Sequence, residues 1–386
     1  MRKGVYKLGD NVITSLGFTT GENYGAMLEG KCGIRAHAVS LKDRESLYVS
    51  RIDDEILEEK WDGINSGGSY TRFEKMAILS ITGALRQCNV SPSAKDTFFI
   101  LSTTKGNISL LDSSSSDEAV KSEIYLWESA RRIASYFENP NRPLVISHAC
   151  ISGVSALIVA RRMVQTGLYK NIVVCGADEL SEFVMAGFQS LKALSSSACK
   201  PYDRDRNGLN LGEGAATMIV GSEREEESGT GIEIGEGVST NDANHISGPS
   251  RTGEGLFRAL DYVMKKVDIS DLAFINLHGT ATAYNDDMES IAVNRAGLTG
   301  IPASGFKGYI AHTLGAAGVI EAVLAVKSLE NALLPGTLGF SAPGTSFPLT
   351  LSGRAIPLTK SVCIKTASGF GGCNAALLFK RVKYTG

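Results

Sequence analysis

The chain has 386 residues, of which 43% are hydrophobic and 21% are charged, a composition typical of a globular protein that can bury one or two sizeable cores. Lysine and arginine total 39 against 41 acidic residues, so the net charge of -2 provides no basic field for nucleic acid. Because we find no apolar run of about 18 residues and no signal peptide, we expect a soluble, cytoplasmic protein that does not bind membranes. The seven cysteines include no CxxC pair, which argues against a disulfide framework and a zinc ribbon.

Short β-branched runs alternate with runs of helical period along the chain, and this alternation predicts an α/β protein whose sheets are covered by helices. The predicted strands cover residues 97–103, 143–149, 171–177, 215–221, 272–279 and 361–368. The predicted helices cover residues 70–88, 118–137, 151–167, 252–267, 286–297 and 315–332.

A charged and then glycine-rich segment at 222–231 is the predicted linker. It divides the chain into a first part, residues 1–224, and a second part, residues 230–386. In the first part an apolar strand leads to Cys150, and a helix that opens with small residues follows. The second part presents His312 in the same way. We interpret this echo as a weak internal duplication, which would let both junctions face one cleft.

Cys150 lies at the predicted start of a helix, in the stretch SHACISGVSAL. The positive end of the helix dipole and the unpaired N–H groups there favour thiolate, so we expect a lowered pKa and a nucleophile. The alternative is a small buried hydrophobe, which most free cysteines are. A metal pair of His148 with Cys150 is disfavoured because no further ligands lie at usable spacing.

Two of the five histidines lie in glycine- and threonine-rich surroundings. His278, in LHGTATAYNDDMES, ends an apolar strand, and His312, in FKGYIAHTLGAAG, precedes a helix with Lys307 five residues upstream. Such positions suit a catalytic imidazole that a substrate must reach. Taken singly, each histidine could equally be a satisfied residue of the core.

Together these motifs resemble those of the β-ketoacyl-acyl carrier protein synthases of the elongating Cys-His-His type. The resemblance runs through GDNVITSLG, HACISG, CKPYDRDRNGLNLGEGAATMIV, HGTATAYNDDMES, KGYIAHTLGAAG and GFGGCNAALLF, in that order along nearly the whole chain. It implies a five-layer αβαβα thiolase-like fold built from two pseudo-repeated halves. It also implies an acyl carrier protein as partner, a homodimer or a heterodimer with a related subunit, and no metal or organic cofactor.

The implied activity is a decarboxylating Claisen condensation, in fatty-acid or polyketide-type synthesis. The resemblance makes Cys150 the residue that takes the acyl group, while His278 and His312 promote loss of carbon dioxide from a malonyl thioester. It implies further roles for the residues that tune the histidines (Lys307, Glu289), form the gate and oxyanion hole (Phe370, Gly369, Gly371), hold pantetheine (Thr280, Thr282) and dock the carrier protein (Arg131, Arg132, Lys200).

Four positions depart from the family pattern. Ser368 replaces a phenylalanine, Cys373 a threonine and Ala311 a glycine, and His148 stands where a small or acidic residue is usual. None of these removes a catalytic side chain, but the first two change the expected shape of the acyl entrance. Two other functions stay open: a thiolase-like acyltransferase on coenzyme A esters, and a chain-length-determining partner subunit of a ketosynthase heterodimer.

Overall fold

The computed structural model describes residues 4–41, 44–65, 67–111, 122–222 and 229–384. Its strands are β1 Tyr6–Ile13, β2 Ile34–Leu41, β3 Arg44–Ser50, β4 Thr97–Ser102, β5 Leu144–Ile146, β6 Asn171–Asp178, β7 Leu211–Gly212, β8 Gly214–Gly221, β9 Gly229–Asn241, β10 Leu272–Asn276, β11 Pro302–Ser304, β12 Leu333–Leu334, β13 Thr350–Leu351, β14 Ile356–Pro357, β15 Val362–Gly369 and β16 Cys373–Tyr384. Its helices, numbered in chain order, are α1 Thr20–Leu28, α2 Asp54–Asp62, α3 Arg72–Leu85, α4 Leu126–Tyr136, α5 Ser152–Gln165, α6 Glu182–Ser190, α7 Glu254–Met264, α8 Ala283–Arg295, α9 Lys307–Ile310 and α10 Ala317–Glu330.

The strand order repeats itself. One run, β1-β8-β6-β4-β5, pairs antiparallel, antiparallel, parallel and parallel. A second run, β9-β16-β15-β10-β11, pairs in the same sequence and is extended by β13. The two runs meet edge to edge at the pair Tyr6–Glu233, so that hydrogen bonds connect all 11 strands. Each run is nevertheless covered by its own outer helices and is described below as a sheet layer. The repeat confirms the internal duplication, while the predicted boundary between halves stays a prediction, because residues 223–228 lie outside the described residues.

Helices α5 and α10 form the middle layer, and two glycines set how closely they approach. A Cβ on Gly153 would lie 2.5 Å from the backbone nitrogen of Val319, and a Cβ on Gly318 would lie 2.5 Å from that of Val154. Such contacts are not available to any side chain, so only glycine permits this crossing. The apolar faces of both helices belong to one buried cluster with strands of both halves.

Two outer helical layers complete the fold. Helices α3 and α4 pack on β4, β6 and β8 of the first half, and α7 and α8 pack on β10, β15 and β16 of the second half. The order helix, sheet, helix, sheet, helix confirms the predicted five-layer αβαβα class. Among the described residues, no helix combines the length and the apolar character that crossing a membrane requires.

The predicted elements are present with shifted ends, and several others had no sequence signal. The helix expected at 118–137 is described from Leu126 to Tyr136, and its first four positions lie outside the described residues. Strand β9 escaped prediction because GTGIEIGEGVSTN is glycine-rich, which weakens intrinsic strand preference. Its hydrogen bonds to β16 stabilise the strand conformation that its own sequence does not favour.

Candidate active site

Cys150, His278 and His312 meet in one cavity of about 510 Å³. Each follows the end of a parallel strand: Cys150 follows β5, His278 follows β10 and His312 follows β11. The sulfur and the imidazole nitrogens that face one another all lie within 4.8 Å. The two rings lie edge to face, with centroids 5.1 Å apart. The duplicated fold therefore brings together three side chains that are far apart in sequence.

A tight turn presents Cys150 at the start of α5. Ala149 adopts a φ of 44°, and the backbone N–H of His148 donates a hydrogen bond of 2.7 Å to Ser152 Oγ. A Cβ on Gly369 would lie 2.9 Å from the backbone nitrogen of Cys150. The GFGG segment can therefore lie this close to Cys150 only because position 369 has no side chain. The predicted strand-to-helix junction is confirmed.

The expectation of a lowered thiol pKa is wrong for the resting protein. Burial raises the pKa of Cys150 to about 12, although the charge of Lys307 and the backbone N–H of Phe370 act in the opposite direction. The thiol is 8% exposed, and desolvation of a thiolate in such a site outweighs these two contributions. Cys150 is therefore a protonated thiol at neutral pH, which must lose its proton as it attacks.

Glu289 fixes the backbone that carries His278. Its carboxylate accepts the backbone N–H groups of His278 at 2.7 Å and of Gly279 at 2.8 Å, and Tyr202 Oη donates to it at 2.8 Å. Glu289 is fully buried. The structure thus places Glu289 against the main chain of His278, rather than against the imidazole.

Lys307 fixes the imidazole of His278. Its ammonium lies 3.2 Å from His278 Nδ1 and donates a bond of 2.6 Å to the carbonyl oxygen of the same residue. Because an ammonium can only donate, Nδ1 accepts and the ring proton of neutral His278 is held on Nε2. Both histidines are 2% exposed. Burial and the charge of Lys307 lower the pKa of each well below its usual range, so both rings are neutral.

His312 is held by its backbone. Its N–H donates to the carbonyl of Asn210 at 2.9 Å, and its own carbonyl accepts the N–H of Gly212 at 3.0 Å. The preceding Ala311 has φ 60° and ψ −168°, a region that is essentially restricted to glycine. This conformation explains why a glycine would be expected before the second histidine. Among the described residues, Nδ1 of His312 has no hydrogen-bond partner.

A buried ion network behind the histidines was not predicted from the sequence. The carboxylate of Glu321, on α10, accepts from Lys307 at 2.5 Å through Oε1 and from Lys365, on β15, through Oε2. All three side chains are essentially inaccessible. The available signal was a charged residue inside each apolar run, AGVIEAVLAV and SVCIKTAS, since buried charges occur in pairs.

The predicted pantetheine and gate residues line the cavity mouth. Thr280 and Thr282 share a hydroxyl hydrogen bond of 2.8 Å and border the cavity. Phe370 is 37% exposed and stacks on Phe188 with ring centroids 5.7 Å apart. Gly371, directly after it, has φ 83°, which favours glycine. This placement is compatible with a gate, and the individual roles stay predictions.

Two departures from the family pattern lie beside the nucleophile. Ser368 also lines the cavity, and its hydroxyl donates a hydrogen bond of 2.8 Å to Asn374 Oδ1. A small polar side chain therefore lies where the family pattern has a phenylalanine ring. The thiol of Cys373 points to the carbonyl of Phe370 at 3.2 Å. It is therefore engaged with backbone rather than directed into the cavity.

The predicted docking residues do not line the cavity. Arg131, on the exposed side of α4, pairs with Glu128 at 2.5 Å. Arg132 pairs at 2.8 Å with Glu74, whose side chain is fully buried. That contact favours a structural role for Arg132. For Arg131 and Lys200, docking stays a prediction.

The three ligand atoms of Cys150, His278 and His312 also form a set that could hold a metal ion. The electrostatics oppose this. The ammonium of Lys307 lies 3.2 Å from one imidazole nitrogen, and the charge of Lys365 acts on both rings. A cation bound here would face two buried positive charges balanced by one carboxylate, so we assign no metal.

Comparison with protein families decides the relationship. A model described as "Beta-ketoacyl synthase, N-terminal domain" matches residues 9–226, and one described as "Beta-ketoacyl synthase, C-terminal domain" matches residues 232–341. The chain belongs to the β-ketoacyl synthase family. The resemblance seen in the motifs is thereby confirmed, and the gap between the two matches, residues 227–231, falls within the predicted linker.

Individual β-ketoacyl synthases match over different lengths. The 3-oxoacyl-(acyl-carrier-protein) synthase 2 of Vibrio harveyi is 33% identical over 62% of this chain, and the match spans 62% of that protein's own length. A putative mitochondrial 3-oxoacyl-(acyl-carrier-protein) synthase of Schizosaccharomyces pombe is 27% identical over 98% of this chain and 99% of its own.

A solved structure has the same fold throughout. A chain from the solved complex of a ketosynthase with its chain length factor from Xenorhabdus doucetiae superposes with a TM-score of 0.86 at 25% identity. The match covers 98% of each chain. It independently supports the thiolase-like architecture derived from strand order and layers.

Proposed function

We propose that this β-ketoacyl synthase condenses an acyl group, held as a thioester on Cys150, with a malonyl group on an acyl carrier protein, and releases carbon dioxide. The observation that carries the proposal is the meeting of one thiol and two neutral imidazoles within 4.8 Å in a single cavity. A thiol can both attack a thioester and leave from one, and two imidazole donors can stabilise an enolate.

The first half-reaction loads Cys150. The sulfur of Cys150 attacks the acyl carbonyl of the carrier thioester and gives up its proton as it does so. The carrier sulfur then leaves and takes up a proton, so that loading consumes one thiol and releases one thiol. The backbone N–H groups of Cys150 and Phe370 are the proposed donors to the tetrahedral oxyanion. The backbone contribution of Phe370 to the Cys150 thiolate supports this assignment.

The second half-reaction forms the carbon–carbon bond. The malonyl carboxylate leaves as carbon dioxide, and its electron pair becomes an enolate on the thioester. His278, with its ring proton on Nε2, donates to the enolate oxygen together with His312. These donors act more strongly on the enolate than on the neutral thioester, which lowers the barrier. The enolate carbon attacks the acyl group, and Cys150 leaves as thiolate and takes up a proton from solvent.

We propose that the chain works as a dimer, with itself or with a related subunit. Strand β5 is an edge of the sheet directly before the Cys150 turn, and its Leu144 is 37% exposed. An edge of this kind invites pairing with a second chain. The Xenorhabdus doucetiae ketosynthase forms a complex with its chain length factor, which supports the heterodimer alternative for this chain.

Product analysis tests the function. The chain is incubated with a panel of acyl carrier proteins and malonyl carrier protein, and products are measured by intact mass, with Cys150→Ala as control. We expect β-ketoacyl carrier protein from the wild type only. Joining of two coenzyme A esters without malonate would indicate a thiolase. Product that forms only after a related second chain is added, and still forms with Cys150→Ala, would indicate a partner subunit.

A further inference from the structure

Lys365 is a charged residue inside a buried strand. It lies within β15, opposite Asn276 of β10, and its side chain is 0% exposed. Its neighbours Ile364 and Thr366 are also buried. Burying an ammonium is costly unless it is paired, and the partner here is Glu321 Oε2. No step of the mechanism above uses Lys365.

Glu321 is shared between two lysines. Lys307 bonds to Oε1, and Lys365 bonds to Oε2. Lys307 has three N–H groups, and they reach Glu321, the carbonyl oxygen of His278 and His278 Nδ1. Two ammoniums and one carboxylate leave a net positive charge behind the imidazoles. If Glu321 had only Lys307 as its partner, both of its oxygens would compete for that one ammonium.

We propose that Lys365 is a positioning residue for decarboxylation: it occupies the second oxygen of Glu321, keeps Lys307 directed at His278, and adds a positive charge that holds both imidazoles neutral. The inference rests on the proposed function. It assigns a role in the half-reaction that involves His278 and His312, and none in loading of Cys150.

The electrostatics of the site agree with this role. The charge of Lys365 contributes to lowering the pKa of both histidines. Burial lowers the pKa of Lys365 itself to about 8, against the opposing charge of Glu321. The charged and titratable groups that contact His278 or its network are Lys307, Glu321, Lys365 and Glu289, and those that line the cavity shared with both imidazoles are Cys150, Lys192, Arg206, Asp242 and His245.

Removing the charge should move the pH profile in a defined direction. Lys365→Met takes the network from a net positive charge to neutral, so the pKa values of His278 and His312 rise. The imidazoles of the variant are then protonated, and so inactive, at pH values where those of the wild type are still neutral. The acidic limb of the pH profile of decarboxylation therefore moves to higher pH. We expect the rate at neutral pH to fall about tenfold, because displacing a reacting group by about 1 Å can cost up to 10²-fold in rate. In the wild type we expect a change in rate near pH 8, where Lys365 loses its proton, and we expect Lys365→Met to lack it.

Lys7 offers a matched control. It is also a largely buried lysine between two carboxylates, with bonds of 2.6 Å to Asp10 and 2.5 Å to Glu330. It lies on β1 and does not border the cavity of Cys150. Lys7→Met therefore reports the cost of breaking a buried ion pair elsewhere. Lys365→Arg, which keeps the charge, should retain the wild-type acidic limb.

The experiment measures carbon dioxide release from malonyl carrier protein as a function of pH, and acyl-enzyme formation by intact mass, for the wild type and these variants. The inference predicts that Lys365→Met loads the acyl group normally, decarboxylates more slowly and has its acidic limb at higher pH. A profile unchanged in shape, like that of Lys7→Met, would overturn it. Equal loss of loading and decarboxylation would also overturn it.

A second variant keeps the test decisive if Lys365→Met does not fold. Glu321→Gln leaves two ammoniums without a carboxylate, so the acidic limb should move to lower pH, the opposite direction. An unmoved or upward limb in Glu321→Gln would count against the inference. Failure of the wild type to release any carbon dioxide would refute the proposed function and this inference together, whereas the outcomes above refute the inference alone.

Discussion

At the scale of single residues, two effects on the Cys150 thiol oppose each other. The start of α5 favours thiolate, but burial raises the pKa to about 12. Since each pKa unit is worth about 1.4 kcal/mol, forming a free thiolate at neutral pH would cost on the order of 7 kcal/mol. The proposed loading step avoids that free thiolate, because the thiol loses its proton only as the sulfur attacks and the departing carrier sulfur takes up a proton.

Alkylation tests this account of the thiol. Cys175, on β6, is the matched control, because burial raises its pKa to about 12 as well but it does not border the cavity. We expect iodoacetamide to label Cys150 faster than Cys175, and the rate at Cys150 to increase with pH. Peptide mapping after brief alkylation measures both. Equal labelling of the two would contradict the assignment of Cys150 as the nucleophile.

Sequence analysis singled out the three side chains that the structure brings into one cavity, because each belongs to a local motif. HACISG, HGTATAYNDDMES and KGYIAHTLGAAG mark Cys150, His278 and His312 without reference to the rest of the chain. Lys365 and Glu321 carry no such motif, and their pairing across β15 and α10 exists only after folding. The pKa of Cys150 was predicted in the wrong direction because burial, unlike helix position, cannot be read from neighbouring residues.

At the scale of elements, the loop that delivers His312 carries backbone strain. Ala311 has φ 60° and ψ −168°, which a Cβ disfavours. We expect Ala311→Gly to raise the free energy of unfolding by about 1 kcal/mol. Ala325→Gly, at a buried position inside α10, should lower it by about 1 kcal/mol. Denaturant unfolding compares the two, and destabilisation by Ala311→Gly would show that the strain is not relieved.

Helix α4 offers a test of the docking prediction. Arg132→Glu removes the partner of buried Glu74 and places two carboxylates together, so we expect a loss of about 3 kcal/mol in stability. Arg131→Glu breaks an exposed pair with Glu128 and should cost under about 1 kcal/mol.

Thermal melting measures both changes, and kinetics with carrier-bound and pantetheine substrates shows whether either residue docks the carrier. A raised KM for the carrier substrate alone, with Arg131→Glu, would support docking by Arg131. Equal losses with both substrates would assign the residue to structure.

The helices and strands with clear periodicity were predictable, and those held by tertiary contacts were not. Strands β4, β6 and β8 are β-branched runs, buried throughout, and were predicted. Strand β9 was not predicted because its glycines have a low intrinsic preference for strands. It pairs along most of its length with β16, so its conformation is imposed by a partner more than 130 residues away.

At the scale of the whole molecule, duplication explains how the site is assembled. Cys150 follows β5 in the chain, His312 follows the equivalent strand β11 after the short helix α9, and His278 follows β10. Gly153 and Gly318 allow the central helices α5 and α10 to pack with their backbones in contact. The segments that follow the strands of both halves then line one cavity. The thiol of one half therefore meets the imidazoles of the other, as the sequence echo predicted.

The central claim is that the two halves of the molecule divide the chemistry, Cys150 for acyl transfer and His278 with His312 for decarboxylation. The most direct test is a paired measurement on Cys150→Ala and His278→Ala: acyl-enzyme by intact mass, and carbon dioxide release from malonyl carrier protein. Thermal melting confirms that each variant is folded.

We expect Cys150→Ala to form no acyl-enzyme and still release carbon dioxide. His278→Ala should form the acyl-enzyme and decarboxylate about 10² to 10³ times more slowly, the usual cost of removing a donor to a developing oxyanion. Decarboxylation by His278→Ala at the wild-type rate would contradict the account, and would make His278 a structural residue.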